Sequence, residues 1–280
     1  LGKVYFPEVG RTKGDVMRYY VRAAPFLLPL MADRPLILKR YPDGVDGKSF
    51  YQHDAPDDAP NGVRVESVPA ADGQCVPRFI GGALGTLLHC VQLGSIAVNP
   101  WNARVGSLDE PDYLILDLDP GDDAPFAKVV EVALAVRGAL ETRGVTGAVK
   151  TSGASGLHIY VPLRAGTPSE VALGWAKDVA EEVAAASPKL ATTARGVRSR
   201  SSSAVYVDYL QNVTGKSVAS AFSVRARPNA SISMPLAWHE LESGGSDIDP
   251  TQFTLDASAS ELNARGRVWR AGMRRKYRLG

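Results

Sequence analysis

Apolar positions recur along this chain with two different periods, and the switches between them mark its elements. In KGDVMRYYVRAAPFLLPLM, Val16, Tyr19, Tyr20, Ala23 and Leu27 fall on one side of an α-helix, and Thr12 with Asp15 makes a capping-box-like start. The pattern predicts a helix over about 13–31, bent or divided at Pro25. PLILKRYP reads as a short strand, the polar Pro- and Asp-rich stretch 54–73 as a loop or insertion, and GGALGTLLHCVQLG as a short helix. SIAVNPW leads by strand into an apolar run at 113–119 that carries acids at its far end. A helix follows over 124–142, with Asp122 and Asp123 as its capping candidates and Gly144 as its stop.

GAVKTSGASGLHIYVPL alternates like two strands around a loop. Thr167-Pro168-Ser169-Glu170 reads as a helix start with Thr167 as N-cap, and that helix runs to about Ser187. Strands at 203–210 and 218–226 and a C-terminal helical piece complete the chain, which has no internal repeat. Strands and helices mix without strict βαβ repetition, so the expected class is α+β with a largely antiparallel core sheet.

Composition narrows this picture only a little. With 280 residues, 45% of them apolar, the chain is long enough for one large domain or for two lobes sharing a cleft. No apolar run reaches membrane-spanning length and LGKVYFPEVG has no signal-peptide pattern, so a soluble intracellular protein is expected. Cys75 and Cys90 have no zinc-ligand spacing and are expected as core thiols. The net charge of +2 neither demands nor excludes nucleic acid. Basic residues nevertheless gather at 39–48, 194–200, 223–227 and 265–278, and acidic ones at 54–58 and 109–123. Any one such run alone reads as a solvated face.

The acids inside strands matter more. In YLILDLDPGDD, Asp117 and Asp119 lie two apart, so a strand sends both carboxylates to the same face. Like charges that close must be solvated or neutralised by a cation, and local pattern alone leaves both readings open. VYVDYLQN adds Asp208 in a second strand of high β propensity. Three strand-borne carboxylates suit a hard divalent cation such as Mg²⁺ or Mn²⁺. KTSGASGLH offers an anion site beside them: Gly153 and Gly156 allow close backbone approach, Ser152 and Ser155 bring hydroxyls, and His158 ends the loop. Taken alone, the same loop also reads as a hairpin with a packed histidine.

In order and separation, LILDLDPG, SGASGLH and VYVDYLQN resemble the catalytic motifs of the archaeo-eukaryotic primase superfamily. GKVYFPEVGRTKGDVMRYY, LKRYPDGV, SFYQ, NPWNARV and GKSVASAFSVRARP resemble, more narrowly, the polymerase domain of bacterial DNA ligase D and its stand-alone actinobacterial primase-polymerase relatives. The resemblance covers roughly residues 3–240. It implies a primase-like fold with an RRM-like catalytic sheet. It further implies a single catalytic domain over 1–280, with a DNA-binding part at about 1–105 and a catalytic part at about 106–240.

The activity implied is a template-dependent nucleotidyltransferase that fills gaps and ends in break repair, often favouring ribonucleotides. By motif position Asp117, Asp119 and Asp208 would hold two Mn²⁺ or Mg²⁺ ions. Ser152 and His158 would contact the triphosphate of an NTP or dNTP, with Ser155 in the same loop and Gln211 and Arg225 lining the nucleotide site. Lys3 and Lys13 would hold the 5′-phosphate at a gap or break in duplex DNA, with Arg40 near the phosphate backbone. Phe50 and Tyr51 match an aromatic pair that packs on template bases. DNA ligase and Ku are the partners implied, for a monomer in the bacterial cytoplasm that joins the nucleoid during repair.

Two departures stand out: the family commonly has Lys where this chain has Ser155, and His where it has Asn99, with a further polar change at Asn102. Nucleotide affinity and sugar choice are the properties these changes touch. The chain shows no KxDG-type ligase nucleophile. Two rival functions are a metal-dependent nucleotide phosphohydrolase, which leaves the basic and aromatic stretches unexplained, and a non-catalytic DNA-end-binding repair module, which leaves the aspartate triad without use.

Overall fold

The computed structural model describes residues 1–56, 58–69, 73–196 and 199–279, so parts of the acidic stretch 54–73 and of the basic run 194–200 lie outside the described residues. The chain opens with a two-stranded ribbon, β1 (Val4–Phe6) and β2 (Arg11–Thr12), that delivers it into α1 (Lys13–Met31). The expected capping box is present, with Asp15 N–H donating to Thr12 Oγ1 at 3.2 Å and Thr12 N–H donating to the Asp15 carboxylate at 2.7 Å. Pro25 does not divide the helix, which continues through Pro25 and Pro29 to Met31. Its inner stripe of Val16, Tyr19, Tyr20, Ala23, Leu27 and Met31 is wholly buried, and that packing outweighs the proline penalty.

These cap bonds, with Arg18 beside the carboxylate, lower the Asp15 pKa to about 2. A carboxylate shifted below its unfolded value stabilises the fold above about pH 4 and ceases to as pH falls towards 2. Asp15→Ala is expected to lower stability by about 1 kcal/mol at pH 7. In urea melts, wild type and variant should converge as the pH is lowered through that window; an unchanged difference at pH 2.5 would contradict the cap's role.

Beyond α1, a three-stranded sheet in the order β4-β3-β7 is built from β3 (Leu36–Arg40), β4 (Phe50–Gln52) and β7 (Asn99–Pro100). Within the stretch expected as loop, β5 (Val65–Pro69) forms an antiparallel hairpin with β6 (Cys75–Phe79). Its alternation is weak because the pair is half open to solvent, and for the same reason Cys75 is exposed rather than a core thiol; Cys90, on α2 (Leu84–Gln92), is buried.

The second half is organised on a six-stranded sheet in the order β11-β12-β8-β10-β9-β13. Its members are β8 (Tyr113–Pro120), β9 (Ala148–Thr151), β10 (Leu157–Pro162), β11 (Ala191–Thr192), β12 (Val205–Asp208) and β13 (Pro235–Leu236). All neighbours are antiparallel except β11 and β12. The helices α3 (Phe126–Thr142) and α4 (Ser169–Ala186) pack along β8, and α6 (Ala259–Gly272) packs on β9 and β13, with α5 (Trp238–Gly244) between. The class is α+β. Tyr113 to Leu118 are buried whichever face they take, as expected of a central strand covered on both sides. Among the described residues no helix is long and apolar enough to cross a membrane.

Three local expectations fail for identifiable reasons. Asp122 and Asp123 do not cap α3, whose N-cap is Pro125; Asp123 instead pairs with Ser202 through its amide and its carboxylate. Thr167 donates its hydroxyl to the Arg164 carbonyl, so Pro168 becomes the N-cap of α4. The segment 218–226 is not a strand. Phe222 adopts a left-handed φ of 67°, and the chain bonds first to Val98 and then to Ser233 and Ser231 instead of one ladder partner.

Candidate active site

Sheet register puts the acids beside each other. Asp208 of β12 lies opposite Asp117 of β8, Asp117 opposite His158 of β10, and His158 opposite Lys150 of β9. Four polar side chains thus form one row across four strands, at the strand ends where the sheet meets the 152–156 loop. Asp119, two residues further along β8, shares the face and is open to solvent, whereas Asp117 and Asp208 are buried.

The row carries unbalanced negative charge. Burial raises the Asp117 carboxyl well above the usual carboxylate range, and the charges of Asp119 and Asp208 raise it further. Asp119 is raised by partial desolvation and by Asp208. His158 Nε2 stands 3.2 Å from Asp117 Oδ1 without the alignment of a hydrogen bond, so this buried oxygen has no hydrogen-bond partner. Asp208 is better satisfied: Oδ1 accepts from Leu210 N–H at 2.8 Å and Tyr206 O–H at 3.2 Å, and Oδ2 from Gln211 Nε2 at 2.8 Å. Its oxygens are turned to Tyr206 and its own loop, and no group of three or more His, Cys, Asp or Glu stands in ligand geometry among the described residues. The residues nonetheless fit a divalent cation, since an orphaned carboxylate oxygen among mutually repelling acids is what such a charge relieves.

The loop beside them is folded tightly around its glycines. Gly153 has φ +72°, and a Cβ there would press on Ser233 N and Arg225 Cγ; one at Gly156 would collide with the Leu118 carbonyl. Ser152 Oγ accepts from the N–H groups of Ala154 and Gly156 at 3.1 and 3.0 Å, holding the loop closed. Ser155 is exposed at its tip. Arg225 Nη1 donates to the Ser152 carbonyl at 2.5 Å, which brings a guanidinium to the loop where Ser155 supplies no charge. Burial, and then the charges of Lys150 and Arg225, hold His158 well below the usual imidazole range.

A cleft of about 1170 Å³ opens beside this row, lined by Lys39, Tyr51, Asn99, Trp101, Gln211 and Arg225. Gln211 and Arg225 connect it to the carboxylates and the loop, through Asp208 and Ser152. Register separates two residues expected to act as a pair. Tyr51 lies opposite Lys39 and Phe50 opposite Arg40, so the two aromatics take opposite faces of β4. Tyr51 lines the cleft, stacked near His53 with the ring centroids 6.2 Å apart, while Phe50 lies against Arg40 at 5.2 Å. Arg78 also lines the cleft, 5.2 Å above the Trp101 ring, with its Nε buried and unpartnered. Lys39 and Trp101 lie within LKRYPDGV and NPWNARV but had no role assigned there, and neither His53 nor Arg78 lies in any of those stretches.

The expected phosphate ligands gather on the other side of β3. Lys13 N–H donates to the Lys3 carbonyl at 2.8 Å, and Lys13 Nζ lies 5.3 Å from the Tyr5 ring. Desolvation, then the charges of Lys3 and Arg40, lower the Lys13 pKa. Lys3 pairs with the exposed Asp43 at 2.6 Å, while Lys13 and Arg40 donate to the carbonyls of Gln92 and Leu93. The Tyr5 hydroxyl is buried between them without a partner. Crowded cations beside an unpaired hydroxyl suit a phosphate.

A family model described as LigD, primase-polymerase domain, matches residues 12–269. The chain is 33% identical over 238 residues to the multifunctional non-homologous end joining protein LigD of Pseudomonas aeruginosa, covering 85% of this chain and 28% of that protein. It is 30% identical over 269 residues to the bifunctional non-homologous end joining protein LigD of Bacillus subtilis, covering 95% of this chain and 42% of that one. The chain therefore spans less than half the length of these relatives. Among solved structures, the polymerase domain of Mycobacterium tuberculosis ligase D in complex with DNA matches with a TM-score of 0.88 at 29% identity, over 98% of this chain and 96% of that one. Matched in sequence and fold over nearly its whole length, the chain belongs to the LigD primase-polymerase domain family and is a DNA polymerase-type nucleotidyltransferase.

Proposed function

We propose that the protein fills short gaps and ends in broken DNA, adding nucleotides to a primer 3′-hydroxyl against a template and favouring ribonucleotides. The single observation that carries this reading is the cross-strand row Asp208, Asp117, His158, continuous with an anion loop and opening onto a cleft with aromatic and basic walls. A phosphohydrolase needs the row but not the walls. A binding module needs the walls but not the row.

In this reading Asp117, Asp119 and Asp208 hold two Mn²⁺ or Mg²⁺ ions, which would activate the attacking hydroxyl and neutralise the departing pyrophosphate. Engagement of Asp208 competes with its bonds to Gln211 and Leu210. The 152–156 loop, His158 and Arg225 seat the triphosphate, Gln211 and Asn99 border the nucleoside, and Tyr51 offers its face to a template base. Lys3, Lys13 and Arg40 take the downstream 5′-phosphate, with Phe50 flanking that site instead of the template. The chain acts as one catalytic unit with its DNA-binding part at about 1–105. DNA ligase and Ku are the proposed partners, in the bacterial cytoplasm and at the nucleoid during repair; the relatives' names place those proteins in non-homologous end joining.

The test is extension of a labelled primer across a short gap with a 5′-phosphorylated downstream strand in Mn²⁺, comparing ribonucleotides with deoxyribonucleotides. Templated addition of one to a few nucleotides, faster with ribonucleotides, is expected. Release of phosphate from nucleotides without template, and no extension, would favour the hydrolase.

A further inference from the structure

Lys150 is wholly buried, yet among the described residues no carboxylate lies within ion-pair distance of its Nζ. Its near neighbours are His158 Nδ1 at 2.7 Å, Ser233 Oγ at 2.6 Å and the Tyr160 ring, with a centroid distance of 5.6 Å. Burying an amine without an ion-pair partner is costly, and an apolar residue in the middle of β9 would avoid the cost. The hydrogen bonds give this lysine a direction. Ser233 Oγ donates to the Thr151 carbonyl at 2.7 Å, so it can only accept from Nζ.

The second contact is decided by what stands across the imidazole. If Nδ1 carried the proton, Nε2 would turn a lone pair towards the lone pairs of Asp117 Oδ1, 3.2 Å away. With Nζ as donor, Nδ1 accepts and the ring proton sits on Nε2, facing that oxygen. Because Nε2 and Asp117 are not aligned as a hydrogen bond, that proton stays available to another acceptor.

We propose that Lys150 is a positioning residue for the polymerase reaction, which fixes His158 as its Nε2–H tautomer and so presents one hydrogen-bond donor to an anion seated between the 152–156 loop and Asp117. Sheet register supports the assignment, because Lys150 lies directly opposite His158 on the neighbouring strand and is clamped from β9's other side by the chain leading into β13. The inference rests on the polymerase reading for its functional consequence but not for the tautomer itself.

Two-bond ¹H–¹⁵N correlation of the imidazoles in the full chain, without nucleotide, reads the tautomer directly, and His158→Gln assigns the signal among the four histidines. The wild-type protein should show His158 protonated on Nε2 and bare on Nδ1. In Lys150→Met the pattern should shift towards a mixture, and kcat for templated addition should fall about tenfold to a hundredfold while gapped DNA still binds. A wild-type spectrum showing Nδ1–H overturns the proposal even if Lys150→Met does not fold. So does a folded Lys150→Met that keeps both the spectrum and kcat. A chain that shows the expected tautomer but adds no nucleotide would overturn the polymerase reading alone.

Discussion

Asp117→Asn is expected to abolish templated extension and, at the same time, to raise the melting temperature. The first effect follows from its place in the row: a central acceptor between Asp208 and His158 is lost, and the loss should be on the order of a thousandfold or more. The second follows from its electrostatics. Asp117 is buried, one of its oxygens is unpartnered, and Asp119 and Asp208 oppose its ionisation. A neutral amide of the same shape removes that repulsion, for a gain on the order of 1 kcal/mol and a rise of a few degrees. Adding Mn²⁺ should stabilise the wild type, by about 2.7 kcal/mol at a hundredfold excess over Kd, and leave the variant almost unmoved. Thermal melts with and without Mn²⁺, run beside the gap-extension assay, decide the matter. A destabilised Asp117→Asn, or one that still extends, would remove the row from the chemistry.

Lys13→Glu should erase any preference for a 5′-phosphorylated gap. Burial, then the charges of Lys3 and Arg40, disfavour the Lys13 cation, and a phosphate would relieve it, so discrimination should be large in the wild type. Losing one charge-assisted hydrogen bond and gaining a repulsive carboxylate should weaken binding to the phosphorylated gap by about tenfold to a hundredfold. Binding to the same gap with a 5′-hydroxyl should change little. Fluorescence anisotropy with the two downstream strands checks this, and the wild-type preference should shrink steeply with salt. Equal losses on both strands would mean that Lys13 touches the DNA elsewhere.

What could be read before the fold was known follows the range of the interactions involved. The α1 helix was legible because Thr12, Asp15 and the apolar stripe from Val16 to Leu27 are local features, and the acidic strand because carboxylates inside an apolar run stand out. The tight 152–156 loop was legible from its glycines. Most of what could not be read turned on strand register or on partners far along the chain. Phe50 and Tyr51 are neighbours in sequence but face opposite ways in a strand, and Tyr51 lines the cleft. Phe222 breaks an apparent strand because its neighbours bond to Val98 and Ser233 instead of one ladder. Lys150 reads as an ordinary strand lysine until its register against His158 is known. Thr167 and Asp123 had better partners than the helix ends they were expected to cap.

The segment from Phe222 to Arg225 joins three parts of the molecule by direct bonds. Tyr19 donates its hydroxyl to the Phe222 carbonyl, the Val224 N–H donates to Tyr20, Ser223 Oγ accepts from the Val98 N–H, and Arg225 holds the Ser152 carbonyl. Tyr19 and Tyr20 lie on α1, about two turns from Lys13, and Ser152 opens the anion loop. On the proposed assignments, one stiff strut therefore spans from the downstream phosphate to the incoming triphosphate. On those assignments a strut of fixed length would set the spacing between the two phosphates, and with it the number of missing nucleotides that the site spans.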